Sequence, residues 1–306
     1  LAMLGRLRVD IVLLDVEMPG TDGLTALPAL LERCGGARIL IVSSAAASGA
    51  AATVQALMLG AADTLLKPGA GYFAGRFAEE LAERLLRLAP DATASPAVRA
   101  LDDWMPRSLP ASPIECLAIG ASTGGVDALA AFFRALSPDF RAPILVTQHL
   151  PAVFMPYFAA QIQETAGRPT RVGTDGLRPR PGEIVIAPGD GHLCLVRNRG
   201  ALHVRIDRTP APSGCLPSVD PMFAALAQAC GAAGHGVVLS GMGRDGVLGA
   251  AAIVQAGGAV LVQDARSSVV WGMPGAVANA GLASAILDPA GLARRLGQGD
   301  EAPRWK

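Results

Sequence analysis

Disulfide chemistry is what this chain is least equipped for. Its five cysteines, at 34, 116, 194, 215 and 230, are odd in number and scattered, with no C-x-x-C pair. That pattern argues for a reducing compartment and against a disulfide framework or a zinc site. Net charge is lacking as well. Lys plus Arg number 26 and Asp plus Glu number 26, so no basic surface for a nucleic-acid partner is expected. Aromatic residues make up only 4%, which leaves Leu, Val, Ile and Ala to build the core. No uninterrupted apolar run approaches the roughly 18 residues that span a bilayer, so no membrane insertion is expected. Asp10, Asp15 and Glu17 break up the N-terminal apolar stretches, against a signal peptide. A monomeric cytoplasmic protein is the expectation.

What the chain does have is apolar mass: 306 residues, 51% hydrophobic, enough for one large domain or two ordinary ones. Short continuous apolar runs alternate with helix-like stretches, the mark of an α/β protein with a parallel sheet. In the first part, strands are predicted at Asp10–Asp15, Arg38–Ser43 and Asp63–Lys67. Helices are predicted at Thr25–Arg33, Ala50–Gly60 and Ala78–Leu88. Residues 90 to 113 hold five prolines and no sustained periodicity, and 89–113 reads as a linker. A second β/α series starts at Ile114. Its predicted strands are Cys116–Ile119, Ile144–Thr147, Val237–Ser240 and Ala259–Val262. Glu183–Ala187 and Leu193–Val196, joined by Pro188-Gly-Asp-Gly191, are expected to form a β-hairpin, which the alternating Ala201–Ile206 could extend. Val219–Ala229 and Val247–Ala256 read as helices.

The three early strands end on Asp15, Ser43 and Lys67. Ligands of open parallel sheets sit at such carboxyl ends, so a carboxylate, a hydroxyl and an ammonium are expected to converge, unless each merely caps its own strand. Asp15 opens Asp-Val-Glu-Met-Pro-Gly-Thr-Asp-Gly, Val42-Ser43-Ser44 lies between, and Lys67 precedes Pro68. These strings resemble the receiver domain of bacterial response regulators, over about residues 4–88 of a domain taken as 1–88. The resemblance implies a flavodoxin-like fold, Asp15 as phosphoacceptor, Ser43 as the hydroxyl switch and Lys67 as the phosphoryl-binding lysine. It also implies a phosphodonor histidine kinase and a Mg²⁺ ion. Family receivers begin with a strand ending in an acidic pair that holds this ion. Here Leu1–Arg8 reads as the end of a later helix, so an incomplete receiver is expected. Asp15 and the Glu17 carbonyl would be a partial Mg²⁺ site, and phosphorylation would be weak.

In the second part, Cys116-Leu-Ala-Ile-Gly-Ala-Ser-Thr-Gly-Gly125 leads into an amphipathic run, Val126–Leu136. It reads as strand, tight turn, helix, and Gly120–Gly124 fits the G-x-S-x-G elbow that exposes a nucleophilic serine. A glycine turn with a helix-capping Ser or Thr is the plainer alternative. Of the four histidines, His203 is expected half-exposed on a strand, His192 in a turn or at the surface, and His235 at the surface. His149 ends the strand after the Ser122 helix, beside the elbow if the β-α-β unit is right-handed. Asp127, Asp190, Asp220, Asp245 and Asp264 are candidates to orient an imidazole. Asp245, past the strand end in Val237-Val-Leu-Ser-Gly-Met-Gly-Arg-Asp-Gly246, is best placed.

Six strings occur in order: Ile119-Gly-Ala-Ser-Thr-Gly-Gly125, Gln148-His-Leu-Pro151, Ala187-Pro-Gly-Asp-Gly-His192, Pro217-Ser-Val-Asp220, Leu239-Ser-Gly-Met-Gly-Arg-Asp-Gly246 and Trp271-Gly-Met-Pro274. Together they resemble the catalytic domain of the chemotaxis protein-glutamate methylesterases, the CheB family, over 114–290 of a domain taken as 114–298. Arg244 departs from the Asn often found there. The resemblance implies a doubly wound, mostly parallel sheet and a Ser122-His149-Asp245 triad that needs no cofactor. Thr123 and the Met242 region would supply oxyanion donors. The substrates would be methylated glutamates and glutamines of chemoreceptors, and the unphosphorylated receiver would block the site. Two other readings stay open. A general α/β-hydrolase esterase would have the order Ser, Asp/Glu, His and an oxyanion His-Gly-Gly-Gly. A nucleotide-binding module would have G-x-G-x-x-G or a P-loop lysine. The chain has neither set of features.

Overall fold

A computed structural model describes residues 8–18, 20–44, 46–68, 74–89 and 113–297, with isolated positions 4, 107 and 110. The chain forms two compact units, 1–95 and 96–306. Most of the expected linker, and residues 1–3 and 5–7 of the expected helix end, lie outside the described residues. No helix among the described residues is long and apolar enough to cross a membrane.

In the first unit the apolar runs become three parallel strands in the order β1-β2-β3: β1 (Ile11–Asp15), β2 (Arg38–Ser43) and β3 (Asp63–Leu66). Among the described residues β1 pairs with β2 alone. The helices are α1 (Gly23–Arg33), α2 (Ala47–Met58) and α3 (Ala74–Leu88). Each begins a few residues before the apolar periodicity does. For α1 the reason is Asp22, whose carboxylate accepts the Thr25 N–H at 2.6 Å and caps the helix early. The far end of α3 is tied to β2, where the Arg38 guanidinium donates to the Leu88 carbonyl at 2.9 Å.

The second unit is built on seven parallel strands in the order β12-β11-β10-β4-β5-β7-β6. They are β4 (Cys116–Ala121), β5 (Ile144–Gln148), β6 (Thr170–Val172), β7 (Ile184–Ile186), β10 (Gly234–Val238), β11 (Ala259–Gln263) and β12 (Ala283–Leu287). Every residue of β4, β5, β10 and β11 is buried, as expected of strands covered on both faces. The helix α4 (Gly125–Ala135) packs with α5 (Met155–Ala166) and α9 (Pro289–Gly297). A second set, α6 (Val219–Cys230), α7 (Val247–Gln255) and α8 (Met273–Asn279), packs together in the same way.

The hairpin is not the one expected. Ile184–Ile186 joins the large sheet between β5 and β6, while β8 (His192–Asn198) pairs antiparallel with β9 (Ala201–Asp207). Arg199 and Gly200 make the two-residue turn, both at positive φ (47° and 81°), the geometry that suits the twist of a tight hairpin. Pro188-Gly-Asp-Gly191 is instead the exit from the parallel sheet. The tenth strand also ends earlier than the apolar run does, at Val238, which leaves Ser240 in the loop beyond it.

The chain packs closely where β4 ends. A Cβ at Gly120 would stand 2.5 and 2.7 Å from the two γ-methyls of Val219. Val219 is fully buried and opens α6. Gly120→Ala is therefore expected to push on α6 and destabilise the second unit by about 1–3 kcal/mol. A urea titration of the full chain would check this, and an unchanged midpoint would refute it.

Candidate active site

In the second unit the chain leaves β4 for β5 on one side, and β10 lies on the other. Such a switch in strand order opens a crevice at the carboxyl ends. Three of the predicted side chains stand there: Ser122 just past β4, His149 just past β5, and Asp245 in the loop between β10 and α7.

Ser122 is held by its own backbone. Its N–H donates to the Ser240 carbonyl at 3.0 Å, and its carbonyl accepts from Gly125 N–H and from the Gln148 side-chain amide, both at 2.8 Å. The turn into α4 needs Gly124 twice over. Gly124 has φ of 73°, and a Cβ there would lie 2.4 Å from Val269 Cβ. The result is a half-buried serine side chain at a helix start. The Ser122–Ser240 bond also runs the Gly241–Gly243 segment, with exposed Met242, beside the turn. Thr123 is buried, and its carbonyl accepts from Ser240 Oγ at 2.8 Å.

His149 extends the β4–β5 ladder by one step, its N–H donating to the Ala121 carbonyl at 3.1 Å. Its Nε2 lies 2.8 Å from Asp245 Oδ2. Asp245 is 3% exposed and accepts from three more donors. Ser218 Oγ donates to Oδ1 at 2.6 Å, Val219 N–H to Oδ2 at 2.7 Å and Asp220 N–H to Oδ1 at 3.4 Å. The carboxylate thus sits on the first turn of α6, where helix N–H groups are open to an anion. Burial pushes its pKa up, but the bonds from His149, Ser218 and Val219 outweigh burial and bring it down to about 2. At neutral pH it is an ionised, acceptor-only group, so Nε2 of neutral His149 carries the proton and Nδ1 is left with the lone pair.

The other acids are employed elsewhere. Asp127 lies on the first turn of α4, Asp190 is exposed and pairs with Arg208 at 3.2 Å, and Asp264 accepts the Ser267 N–H at 2.7 Å. Asp220 accepts the Gly249 N–H at 2.8 Å, and burial raises its pKa. Among the histidines, His203 is half-buried as expected, whereas the surface placements of His192 and His235 are corrected. His235 is 3% exposed within β10, between β4 and β11, and burial lowers its pKa. His192, 1% exposed, accepts the Ser218 N–H on Nδ1 at 2.8 Å and places Nε2 2.9 Å from the Thr209 carbonyl. It therefore holds the segment that holds Asp245. No role for Ser218, Gln148 or the Val219 N–H was expected, although all three lie in strings that carry the family resemblance. Their work is done by hydrogen bonds between distant segments, one of them through a backbone N–H common to all residue types but proline.

In the first unit two of three expected groups meet. Lys67 Nζ donates to both Asp15 oxygens, at 2.8 and 2.7 Å. This bond is the main reason that the Asp15 carboxyl lies below its ordinary value. The third, Ser43, ends β2 as expected, but its hydroxyl is bonded to other groups. Its hydroxyl is fully buried and lies 3.1 Å from the Gly49 carbonyl and 3.2 Å from that of Ser44, its hydrogen-bond acceptors. Glu17 meets Asp15 through its N–H, 2.9 Å from Oδ1. For a Mg²⁺ ion, which needs an oxygen-rich shell, the donor set fits poorly. Among the described residues no group of three or more metal-binding side chains gathers there.

Comparison with known proteins agrees with this layout. Residues 117–296 match the family described as CheB methylesterase, and residues 1–71 match the response regulator receiver domain. A protein-glutamate methylesterase/protein-glutamine glutaminase of Maricaulis maris is 36% identical over 340 residues, covering 94% of this chain and 84% of that protein. A second, from Caulobacter vibrioides, is 40% identical over 290 residues, covering 91% and 82%. The crystal structure of the Thermotoga maritima CheB methylesterase catalytic domain superposes with a TM-score of 0.58 at 32% identity, over 60% of this chain and 98% of that domain. The chain belongs to the CheB methylesterase family, with a receiver domain ahead of its esterase domain.

Proposed function

We propose that this chain hydrolyses glutamate γ-methyl esters of chemoreceptors and deamidates their glutamines, with Ser122 as nucleophile, His149 as base and Asp245 as the group that orients it. One observation carries the triad. His149 and Asp245, 96 residues apart, touch at 2.8 Å across the end of the strand that delivers Ser122. Ser122 Oγ attacks the γ-carbonyl carbon and passes its proton to His149 Nδ1. The developing oxyanion is met by backbone N–H groups, Thr123 at the helix start and the Met242 segment. One such donor is worth about 3–4 kcal/mol at the transition state. His149 then returns the proton to the leaving methoxide, or to the amine of a glutamine. Water attacks the acyl-enzyme with His149 again as base, and glutamate is released. Asp245 stays ionised throughout and stabilises the imidazolium.

In the receiver, Asp15 is the phosphoacceptor and Lys67 the group that contacts the phosphoryl oxygens, with a chemotaxis histidine kinase as donor. The Lys67 bond keeps the Asp15 carboxylate ionised, the form needed for attack on phosphorus.

The decisive assay is methanol release from methylated receptor membranes. A milder test addresses the support of Asp245. Ser218→Ala removes the 2.6 Å bond to Oδ1 but leaves His149 and Val219 in place. The expected loss is about 1–2 kcal/mol of transition-state stabilisation, roughly tenfold in kcat. A Ser218→Ala enzyme with full kcat would show that this bond does not position the acid.

A further inference from the structure

His149 and Asp245 present a nitrogen and an oxygen 2.8 Å apart. A third ligand type stands beside them. A His149 ring nitrogen, the Cys215 sulfur and an Asp245 carboxylate oxygen all lie within 4.8 Å of one another, and no other such group occurs among the described residues. Cys215 belongs to the segment that supports the acid. Its N–H lies 3.3 Å from Ser213 Oγ, Ser213 Oγ bonds Ser218 Oγ at 3.1 Å, and Ser218 bonds Asp245. It is half-buried, outside any strand or helix.

The chemistry of the three groups is selective. Thiolate and imidazole suit zinc and its soft neighbours and are poor ligands for Mg²⁺ or Ca²⁺. Zinc–ligand bonds are about 2.3 Å to sulfur and about 2.0–2.2 Å to nitrogen or oxygen, which separates neighbouring ligands of a tetrahedron by about 3.5 Å. The His149–Asp245 pair would open by somewhat under an ångström, and the Cys215 sulfur, within 4.8 Å of both, would close by up to about 1.3 Å.

We propose that His149, Cys215 and Asp245 form an inhibitory site for Zn²⁺ or another thiophilic divalent cation, with water in the fourth position. Binding releases the Cys215 thiol proton to solvent. The metal takes Nε2 and the imidazole proton moves to Nδ1, so the ring has no lone pair left for the Ser122 proton. The site itself is independent of the catalytic reading; its inhibitory effect rests on that reading.

The test uses the full chain and two readouts. Methanol release should fall as Zn²⁺ is added and recover with a chelator. Cys215→Ser, which keeps the backbone N–H that meets Ser213, should need roughly 10–100-fold more Zn²⁺ to lose the same fraction of its own basal rate. Apart from turnover, Co²⁺ added to the Ser122→Ala chain should give a thiolate-to-cobalt absorption band. Cys215→Ser should abolish the band, and His149→Ala should weaken it. A Cys215→Ser enzyme as zinc-sensitive as the parent, or a cobalt spectrum with no Cys215-dependent thiolate band, would overturn the site. A cobalt band that depends on Cys215, found in a chain whose esterase activity survives Ser122→Ala, would keep the site and sink the triad instead.

Discussion

Replacing Ser122 by alanine should lower methanol release from methylated receptor membranes by about 10⁴-fold or more, as loss of the nucleophile does in other serine hydrolases. The substitution deletes one oxygen from a half-buried side chain. The bonds that hold the turn are all made by the Ser122 backbone, to Ser240, Gly125 and Gln148, and they survive. The thermal midpoint should therefore stay where it is while kcat collapses. Binding of methylated receptor should persist, because the hydroxyl forms its new bond only during reaction. A variant that kept a substantial rate would remove Ser122 from the mechanism, and with it the acyl-enzyme.

Asp245→Asn should cost roughly 10⁴-fold in kcat, for a different reason. The carboxylate accepts from His149, Ser218 and Val219 at 2.6–2.8 Å. An amide has one accepting oxygen, so its NH₂ must face one of these donors. If it faces His149, Nε2 becomes the acceptor and the ring proton moves to Nδ1, the nitrogen that Ser122 needs. If it faces Ser218 or Val219, the support on α6 is broken. Stability should respond to pH as well. Asp245 is held at about 2 against an ordinary 3.8. Its folded pKa lies below its unfolded one, so its contribution is complete above about pH 4 and fades as pH falls toward 2. The Asn variant should lose that slope in urea midpoints measured across the acid range. Burial raises the neighbouring Asp220 and the Asp245 charge adds to the rise, so its contribution, of opposite sign, shrinks in the Asn variant. Unchanged kcat in Asp245→Asn would show that this carboxylate does not set the tautomer of His149.

Much of this was legible from residue types. Buried parallel strands announce themselves as continuous apolar runs, so β4, β5, β10 and β11 were found within a few residues. Carboxyl strand ends followed, and asking which polar groups sit at such ends singled out Ser122, His149, Asp245, Asp15 and Lys67, of which His149 meets Asp245 and Lys67 meets Asp15. Short or late elements were harder. The run at Ile184–Ile186 is three residues of apolar sequence that could equally have paired in a hairpin. Its partner was decided by the empty edge of β5, and the real hairpin by the positive φ that Arg199 and Gly200 adopt.

His192 marks the limit of such reading. A histidine after Gly-Asp-Gly looks like a surface turn, yet it is buried and fully bonded beneath Ser218. Cys215 makes the same point in reverse. Scattered cysteines without a C-x-x-C pair argue against a zinc site, but a metal responds to separation in space, and the fold sets Cys215 beside residues 66 positions before it and 30 after it. Apolar periodicity and strand-end chemistry are local properties, carried by a dozen consecutive residues, and they determined the α/β class, the elbow and the choice of Ser122 as the candidate nucleophile. The hydrogen-bond donors around Asp245, the burial that works against its charge, and the meeting of His149 with Cys215 join segments far apart in the chain. Those were decided only when seven strands took their order in the sheet.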